Sequence, residues 1–213
     1  YTRKFDKEFY KHLTGDYSEP LTHIKINAEG STNFKGLLFV PSKAPFDLFM
    51  NPQSGGVSLY IKRVFIMNDF KSLIPDYLRF IRGVIDSEDL PLNISREILQ
   101  DDPVTRVIKR SNQRKIFTEL KKMLEKDREN YIKFWLEFGR IFKEGVIQDR
   151  EYSKKILEDL KKVNEPGVNE NLTLRMRLKN GEEIIVVQQN EYYLISKQIC
   201  KIVDAPAEPE KKS

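Results

Sequence analysis

Residues 86–100, with the sequence DSEDLPLNISREILQ, constrain local structure more than any other stretch of the chain. The apolar, β-branched residues 80–85 that precede them predict a strand. Pro91 disfavours helical backbone at the residue before it, so the chain stays extended there. Asn93 or Ser95 is then a suitable N-cap for a helix. The stretch therefore predicts a strand, an extended loop and a helix in close succession.

Arg96 falls in the first turn of that predicted helix. The helix dipole disfavours a cation at this end by roughly 0.3–1 kcal/mol, so an arginine there is well placed to meet an anion. Two commoner arrangements are open for such a residue: Arg96 pairs with Asp86, Glu88 or Asp89, or it simply reaches solvent. The three acidic residues could do acid–base chemistry, but their closeness in sequence favours a solvated acidic loop.

Charge and composition narrow the possible classes of protein. The 213 residues include 37 basic and 32 acidic side chains, for a net charge of +5, and 39% are hydrophobic. This profile predicts a soluble globular protein with charged surface helices. Basic and acidic residues are mixed along the chain, which argues against a nucleic-acid partner. No apolar run approaches the roughly 18 residues of a membrane-spanning helix.

The cysteine content and the first residues give expectations about compartment and origin. Cys200 is the only cysteine, so no intramolecular disulfide can form, and a reducing, cytoplasmic compartment is expected. The first residues do not resemble a signal peptide. They also lack an initiator methionine, so a fragment or a processed chain is expected.

The N-terminal third predicts a helix and then strands. Apolar residues spaced by four within residues 5–13 predict a short amphipathic helix that ends at Gly15. Residues 20–27 and 34–40 are separated by turn-forming residues and predict a β-hairpin.

A loop between two prolines follows, and its Phe46, Leu48 and Phe49 are too apolar for a free loop. They pack over the sheet, which is the commoner arrangement, or belong to a surface that meets unfolded or partner chains. Residues 57–67 predict one strand at the centre of the sheet, because its later part is apolar on both faces. Residues 73–78 predict a short helix.

Beyond residue 100 the patterns are helical. Asp102 followed by Pro103 predicts an N-cap and a first helical residue, opening a helix of about 20 residues. The basic residues on its other face predict a solvated surface, with phosphate contact as the alternative. A second helix is predicted to begin at Asp127 or Glu129 and to end at Gly145. Its six large apolar side chains predict a helical core: Tyr131, Phe134, Trp135, Phe138, Ile141 and Phe142.

The last third predicts a third helix over residues 150–163, a linker over 164–171 and then strands. Alternating apolar residues on either side of Asn180 and Gly181 predict a β-hairpin. Residues 205–213, rich in proline, glutamate and lysine, predict a disordered tail. The complete pattern predicts an α/β fold: a mixed sheet of about four strands covered by helices, a helical hairpin and a small C-terminal β-hairpin appendage.

Several kinds of site have no counterpart in the sequence. It contains no Walker A or dinucleotide-binding glycine pattern, and no serine or cysteine lies in a recognised nucleophile motif. His12, His23 and Cys200 do not form a metal-binding set. From the residues alone, the chain is predicted to be a binding or regulatory domain with one candidate anion-binding residue, Arg96.

Four motifs together resemble the middle segment of the ninety-kilodalton heat-shock chaperone family. They are APFDLF at 44–49, LYIKRVFIM at 59–67, IPDYLRFIRGVIDSEDLPLNISREILQD at 74–101 and FWLEFG at 134–139. Two shorter segments are most similar to its bacterial branch, high-temperature protein G: FYKHL at 9–13 and EILQD at 97–101. The resemblance runs from about residue 8 to about residue 148.

The resemblance implies an ATP-driven, homodimeric chaperone that binds client proteins and co-chaperones. In this family an N-terminal domain holds ATP with Mg²⁺, and the middle segment supplies a catalytic-loop arginine to the γ-phosphate. Matched residue by residue, that arginine is Arg96, the glutamine one helical turn later is Gln100, and the loop asparagine is Asn93. A charge-assisted contact from arginine to a developing phosphate charge suits phosphoryl transfer.

The resemblance also suggests how the chain is divided. Residues 1–148 are predicted to form the large subdomain of the middle segment with a helical extension, and 149–163 a divergent helix. A linker at 164–171, a small β-hairpin appendage at 172–204 and a disordered tail at 205–213 complete the prediction. The motifs do not locate the family's dimerising region or its further client contacts.

Two functions are therefore expected. The first is a chaperone middle domain that binds unfolded or near-native clients and supplies Arg96 to ATP held by a separate N-terminal domain. Without that domain, the chain is not expected to hydrolyse ATP by itself. The alternative is a non-catalytic interaction or adaptor protein that retains only the chaperone scaffold. Neither function involves a membrane, nucleic acid or a protein-bound metal.

Overall fold

A computed structural model describes residues 2–44, 48, 56–92, 95–163, 173–178, 183–187 and 203–206. The chain divides into two units, residues 1–139 and residues 140–213. Each unit is described separately below.

The first unit is built on a five-stranded mixed sheet, one strand more than the sequence predicts. Helix α1 (Thr2–Thr14) precedes the strands, which are β1 (Thr22–Ala28), β2 (Phe34–Val40), β3 (Gly56–Ile61), β4 (Val64–Met67) and β5 (Arg82–Ser87). Their order across the sheet is β1-β2-β5-β3-β4. The β3 and β5 strands run parallel and all other neighbours run antiparallel. The predicted mixed sheet is confirmed.

The predicted N-terminal helix and hairpin are both present. Gly15 has φ +68° and its N–H donates to the Lys11 carbonyl, 2.9 Å away, so it ends α1 in a conformation that suits glycine. The β1 and β2 strands pair from Thr22 opposite Val40 to Ala28 opposite Phe34. Leu48 is buried, as expected for a side chain packed over the sheet, whereas Phe46 and Phe49 lie outside the described residues.

The prediction of one central strand over residues 57–67 is wrong. The chain turns at Lys62 and Arg63, which have φ values of 51° and 67°, and returns antiparallel as β4. The β4 strand is an edge of the sheet, and its Val64 and Phe65 are each 50% exposed. The continuous apolar run gave the appearance of a strand buried on both faces. Two long basic residues in left-handed conformation carry no glycine or asparagine signal that would reveal the turn.

The predicted short helix over residues 73–78 is replaced by two 3₁₀ turns, Lys71–Leu73 and Asp76–Leu78. Ile74 and Pro75 between them are extended, with ψ values of 155° and 153°. Proline cannot donate a backbone hydrogen bond and keeps the preceding residue out of helical conformation, so it divides the segment.

Three helices follow β5: α2 (Arg96–Asp101), α3 (Pro103–Lys126) and α4 (Arg128–Lys143). Asp102 caps α3 as predicted, since its Oδ1 accepts from the Val104 N–H at 2.7 Å. All six residues of the predicted α4 stripe are buried. Within the first unit, the Phe80 ring lies 5.4 Å from Phe134 and 4.9 Å from Phe138, measured between ring centroids. These aromatic contacts centre the core between α4 and the segment that leads into β5.

The second unit contains the remaining elements. They are α5 (Gly145–Gln148), α6 (Ser153–Val163), β6 (Thr173–Leu178), β7 (Glu183–Val187) and β8 (Val203–Pro206). Gly145 begins α5 after the end of α4, and α6 begins three residues later than predicted. The strands are ordered β7-β6-β8, with antiparallel pairing. The predicted linker at 164–171 and the Asn180-Gly181 turn lie outside the described residues, as does the tail beyond residue 206.

Candidate functional site

The candidate site is the connection between β5 and α2. Ser95 occupies the N-cap position of α2 in extended conformation, and its side chain makes no capping hydrogen bond. The neighbouring Glu97 carboxylate accepts hydrogen bonds from its own N–H and from the Ser95 hydroxyl, which with the charge of Arg96 lower its pKa. Asn93, the predicted loop asparagine, lies outside the described residues.

One side of this connection is tied to the turn between β1 and β2. The Asn33 N–H donates to Asp89 Oδ2 at 2.6 Å, and the Glu88 N–H donates to the Asn33 carbonyl at 3.0 Å. Residues 88 and 89 therefore have a fixed position relative to the first hairpin.

The other side is tied to the turn between β3 and β4. The Arg63 N–H donates to Asp86 Oδ1 at 3.0 Å, and the Lys62 N–H donates to the Ser87 carbonyl at 3.0 Å. Lys62 and Arg63, the two left-handed residues that follow β3, therefore donate their backbone amides to the end of β5. This contact gives a physical reason for the positive φ values at that turn.

Two buried leucines hold the connection to the core. Leu90 is 1% exposed and its N–H donates to the Oγ of the fully buried Ser87 at 3.3 Å. Leu99 is also 1% exposed and is the buried residue of α2. Arg96 lies between these two leucines in sequence, three residues before Leu99 in the same helix.

The side chains of Arg96 and Gln100 are exposed and lie on adjacent turns of one helix face. Neither forms a hydrogen bond or ion pair with another residue in the described part of the chain. Asp86 and Asp89, which could have paired with Arg96, accept from backbone amides of the two hairpins instead. Of the alternatives open from sequence, the guanidinium reaches solvent. An exposed, unpaired guanidinium can contact a phosphate or carboxylate that another molecule or domain presents.

Three apolar side chains in the loop before Arg96, in α2 and in α3 are exposed. Leu92 and Ile98 were not singled out from the sequence, whereas Val107 is expected from its helical spacing to belong to the buried stripe of α3, and that expectation is wrong. Leu92 is 45% exposed, Ile98 is 57% exposed and Val107 on α3 is 43% exposed. Leu92 lies in the loop before Arg96, and Ile98 lies in the six-residue helix α2. Neither segment is long enough for a hydrophobic periodicity that would distinguish buried from exposed positions. The only sequence signal is that both lie inside the most specific family motif.

The described ranges lack two other features, a metal-binding cluster and a membrane-spanning helix. There, no group of three or more His, Cys, Asp and Glu side chains is arranged to hold a metal ion. No α-helix in the same ranges has both the length and the apolarity needed to span a membrane.

Comparison with known proteins decides the family. The family model described as Hsp90 protein matches residues 2–209. The chain belongs to the Hsp90 family. The match continues past residue 148, where the resemblance carried by the motifs stops, and it includes most of the second unit.

Curated relatives of this Hsp90-family chain include bacterial chaperone proteins HtpG. The HtpG of Wolinella succinogenes is 44% identical over 203 residues, which are 94% of this chain and 32% of the relative. The HtpG of Helicobacter pylori is 44% identical over 200 residues, or 94% of this chain and 31% of the relative. The chain thus spans about a third of the length of these curated relatives.

A solved structure agrees with the middle-segment resemblance. The middle domain of a Plasmodium falciparum heat shock protein aligns with a TM-score of 0.63 and 31% sequence identity. The alignment covers 71% of this chain and 58% of that one. The fold of this Hsp90-family chain is therefore similar to that of an Hsp90 middle domain, as the motifs predict.

Proposed function

We propose that this chain is the middle segment of an ATP-dependent chaperone, in which Arg96 contacts the γ-phosphate of ATP held by a separate N-terminal domain. The observation that carries the proposal is the state of Arg96. Its guanidinium is exposed and has no partner in the described part of the chain, and residues 86–89 before it are hydrogen-bonded to two hairpins. An exposed arginine without such a partner suits an anion that another domain presents.

The residues of α2 fit a nucleotide phosphate. A guanidinium offers five N–H donors and stays charged, so it can follow negative charge that develops on transferring phosphoryl oxygens. Gln100, on the same helix face, can donate or accept a hydrogen bond beside it. Asn93 belongs to the same proposal through the family motif. Bound ATP with its Mg²⁺ would supply the phosphoryl group.

Two exposed apolar residues close to Arg96 in sequence support docking of another domain at this place. A guanidinium–phosphate contact is stronger when water is excluded, since the effective dielectric constant falls. Leu92 and Ile98 provide apolar surface that a docked ATPase domain would cover. In this proposal, docking brings Arg96 to the phosphate and removes solvent from the contact in one step.

The catalytic role of Arg96 can be tested in a chimeric protein. This chain replaces the matched 203-residue segment of Wolinella succinogenes HtpG, and steady-state ATP hydrolysis is measured for the chimera and its variants. Arg96→Ala is expected to lower kcat by about 100-fold or more, because a phosphoryl-transfer arginine contributes roughly 10³ to 10⁵ in well-studied enzymes. The KM for ATP should change little, since the proposed contact is made mainly in the transition state.

Two controls sharpen the experiment. Arg110→Ala removes an exposed arginine of α3 and should leave hydrolysis unchanged. Arg96→Lys keeps the charge but loses the planar fork, and it should recover only part of the activity. If the chimera hydrolyses ATP and Arg96→Ala equals the parent, the catalytic role is wrong and the non-catalytic interaction protein becomes the better proposal.

The remaining features of the proposal follow from the family. The complete protein would be a cytoplasmic homodimer that binds client proteins and co-chaperones. Exposed apolar side chains such as Tyr17, at 85%, and Leu136, at 69%, support contact with incompletely folded chains. The C-terminal half of α3 pairs Lys121 with Glu125 and Lys122 with Glu119, and such mixed charge does not favour nucleic acid.

A further inference from the structure

A second candidate site lies in the first unit, in a cavity of about 590 Å³. Its lining comes from the end of α1, the segments that follow β2 and β4, the strand β3 and the first residue of β5. None of the lining residues belongs to residues 86–100, so the cavity is separate from the Arg96 site. Leu13, Pro41 and Ala44 give it apolar wall, and the rest of the lining is largely polar.

The carboxylate oxygens of Asp16 in the cavity lining are already engaged. Tyr10, only 1% exposed, donates its hydroxyl to Asp16 Oδ2 at 2.9 Å. The other oxygen of Asp16 accepts from the N–H of Ser18 at 2.8 Å and from the Ser18 hydroxyl. Burial opposes ionisation of Asp16, but the hydrogen bonds from Ser18 and Tyr10 and the charge of Lys43 together lower its pKa. Asp16 therefore places a negative charge in the cavity lining, but its carboxylate oxygens already accept hydrogen bonds from Tyr10 and Ser18.

Two donor groups of the lining, in contrast, are open, and both belong to exposed side chains, Lys43 and Asn68. The buried Ser58 donates to Asn68 Oδ1 at 3.0 Å, which fixes the amide and turns its NH₂ group away from Ser58. That NH₂ group and the ammonium of Lys43 have no hydrogen-bond partner among the residues that the structure describes. Two residues that line the same cavity thus present donors without acceptors.

Arg82 adds a fixed positive charge. Its Nη1 donates to the carbonyl oxygens of Arg79 at 2.8 Å and Ile81 at 3.2 Å, which holds the guanidinium in the cavity wall. Gly56 lines the cavity beside it, and a Cβ there would collide with the Arg82 side chain. Gly56 therefore leaves the space that the Arg82 side chain occupies.

We propose that this cavity binds the carboxylate group of a polypeptide side chain or of a small organic acid, with Lys43 and Asn68 as its hydrogen-bond donors. The four charged residues in the lining are Lys43, Arg82, Asp16 and Asp69, so the lining is neutral overall. A neutral lining with open donors suits a monoanion better than a doubly charged phosphate. The volume exceeds that of a carboxylate, and the apolar wall accommodates the carbon skeleton that carries it.

The test is a titration of the full, isotopically labelled chain monitored through its backbone amide NMR signals. The probes are N-acetylglutamate, its neutral analogue N-acetylglutamine, a capped pentapeptide with one central glutamate, and inorganic phosphate. We expect saturable shifts at the cavity amides with both carboxylate probes, and none with N-acetylglutamine. Tighter binding of the pentapeptide identifies a polypeptide source, whereas tighter binding of N-acetylglutamate identifies a small acid.

Variants connect the binding to the proposed donors. Lys43→Gln and Asn68→Ala should each weaken N-acetylglutamate binding at least tenfold, and Lys35→Gln, an exposed lysine of β2 outside the cavity, should not. Unchanged signals elsewhere in the spectrum establish that the variants fold. The proposal is overturned if N-acetylglutamine binds as well as N-acetylglutamate, if phosphate competes with equal affinity, or if Lys43→Gln binds normally. Because Arg96 takes no part, the result is independent of the ATPase proposal.

Discussion

The carboxylate of Asp89 accepts a hydrogen bond from the N–H of Asn33, with 2.6 Å between Oδ2 and N. This contact joins the β1–β2 turn to the loop that carries Arg96, across 56 positions of sequence. With the Arg63–Asp86 contact, it holds residues 86–89, which precede Arg96, against two hairpins. Holding residues 86–89 in place lowers the conformational entropy that this loop must lose when Arg96 meets its ligand.

The first prediction concerns this tether. In the chimera, Asp89→Ala should lower kcat for ATP hydrolysis several-fold, because the loop before Arg96 loses one of the two hydrogen bonds that join it to the β1–β2 turn. Asp89→Asn should retain most of the activity, since an amide oxygen can still accept from the Asn33 N–H. Asp76→Ala, at an exposed aspartate of a 3₁₀ turn, is the matched control. Equal kcat values for Asp89→Ala and the parent would show that the tether does not position Arg96.

The second prediction concerns the start of α3. Asp102→Ala removes the acceptor for the Val104 N–H and should lower the free energy of unfolding by about 1 kcal/mol. Asp101→Ala, at the neighbouring exposed residue, should have a smaller effect because the Asp101 side chain has no capping role. Urea unfolding of the chain measures both variants. A loss for Asp101→Ala as large as that for Asp102→Ala would contradict the capping assignment.

Local signals were enough to predict some parts of this fold and not others. Asp102-Pro103 and Gly15 predict helix boundaries correctly because caps depend on residues next to each other in sequence. The turn at Lys62 and Arg63 escaped prediction because its left-handed backbone is stabilised by amides that donate to residues at the end of β5. Propensity carries no information about partners so distant in sequence.

For the candidate site, too, some features could be predicted from the sequence and others could not. The position of Arg96 at the start of a helix was predicted from Pro91 and the polar residues after it. Its freedom from Asp86 and Asp89 was not, because those carboxylates serve two hairpins that are remote in sequence. The catalytic role of Arg96 comes from the family motif, since residue chemistry alone favours a solvated or paired arginine.

The third prediction compares two buried glycines. Gly83 in β5 has φ +154°, and a Cβ there would lie closer than 3.0 Å to backbone atoms of Leu37 and Leu38. Gly83→Ala should therefore lower the free energy of unfolding by at least about 2 kcal/mol. Gly139 in α4 would place a Cβ no closer than 3.4 Å to the Trp135 ring. Gly139→Ala should be neutral or stabilising by up to about 1 kcal/mol, because alanine favours helix.

The same urea unfolding measurement decides this comparison, with circular dichroism to establish that both variants retain native secondary structure. If Gly83→Ala is as stable as the parent, β5 does not approach the backbone of β2 at Leu37 and Leu38 as closely as the structure shows.

The fourth prediction concerns Tyr10 at alkaline pH. Burial raises the pKa of Tyr10, and the hydrogen bond to Asp16 and the charge of that carboxylate raise it further. In the unfolded chain a tyrosine ionises near pH 10, so above that pH the unfolded state loses a proton that the folded state keeps. The stability that the Tyr10 hydroxyl contributes is therefore fully present below about pH 10 and declines as the pH rises through and beyond it.

Tyr10→Phe isolates this contribution, because phenylalanine preserves the ring that lies 5.2 Å from Phe39 and removes only the ionisable group. At pH 8 the variant should be less stable than the parent by about 1 kcal/mol, the usual value of one hydrogen bond. The difference should hold to about pH 9 and shrink from pH 10 upward, as ionisation of the unfolded chain weakens the parent alone. Urea unfolding midpoints at pH 8, 9, 10 and 11 measure it. A difference that stays constant to pH 11 would mean that the Tyr10 hydroxyl ionises as readily in the folded protein as in the unfolded chain.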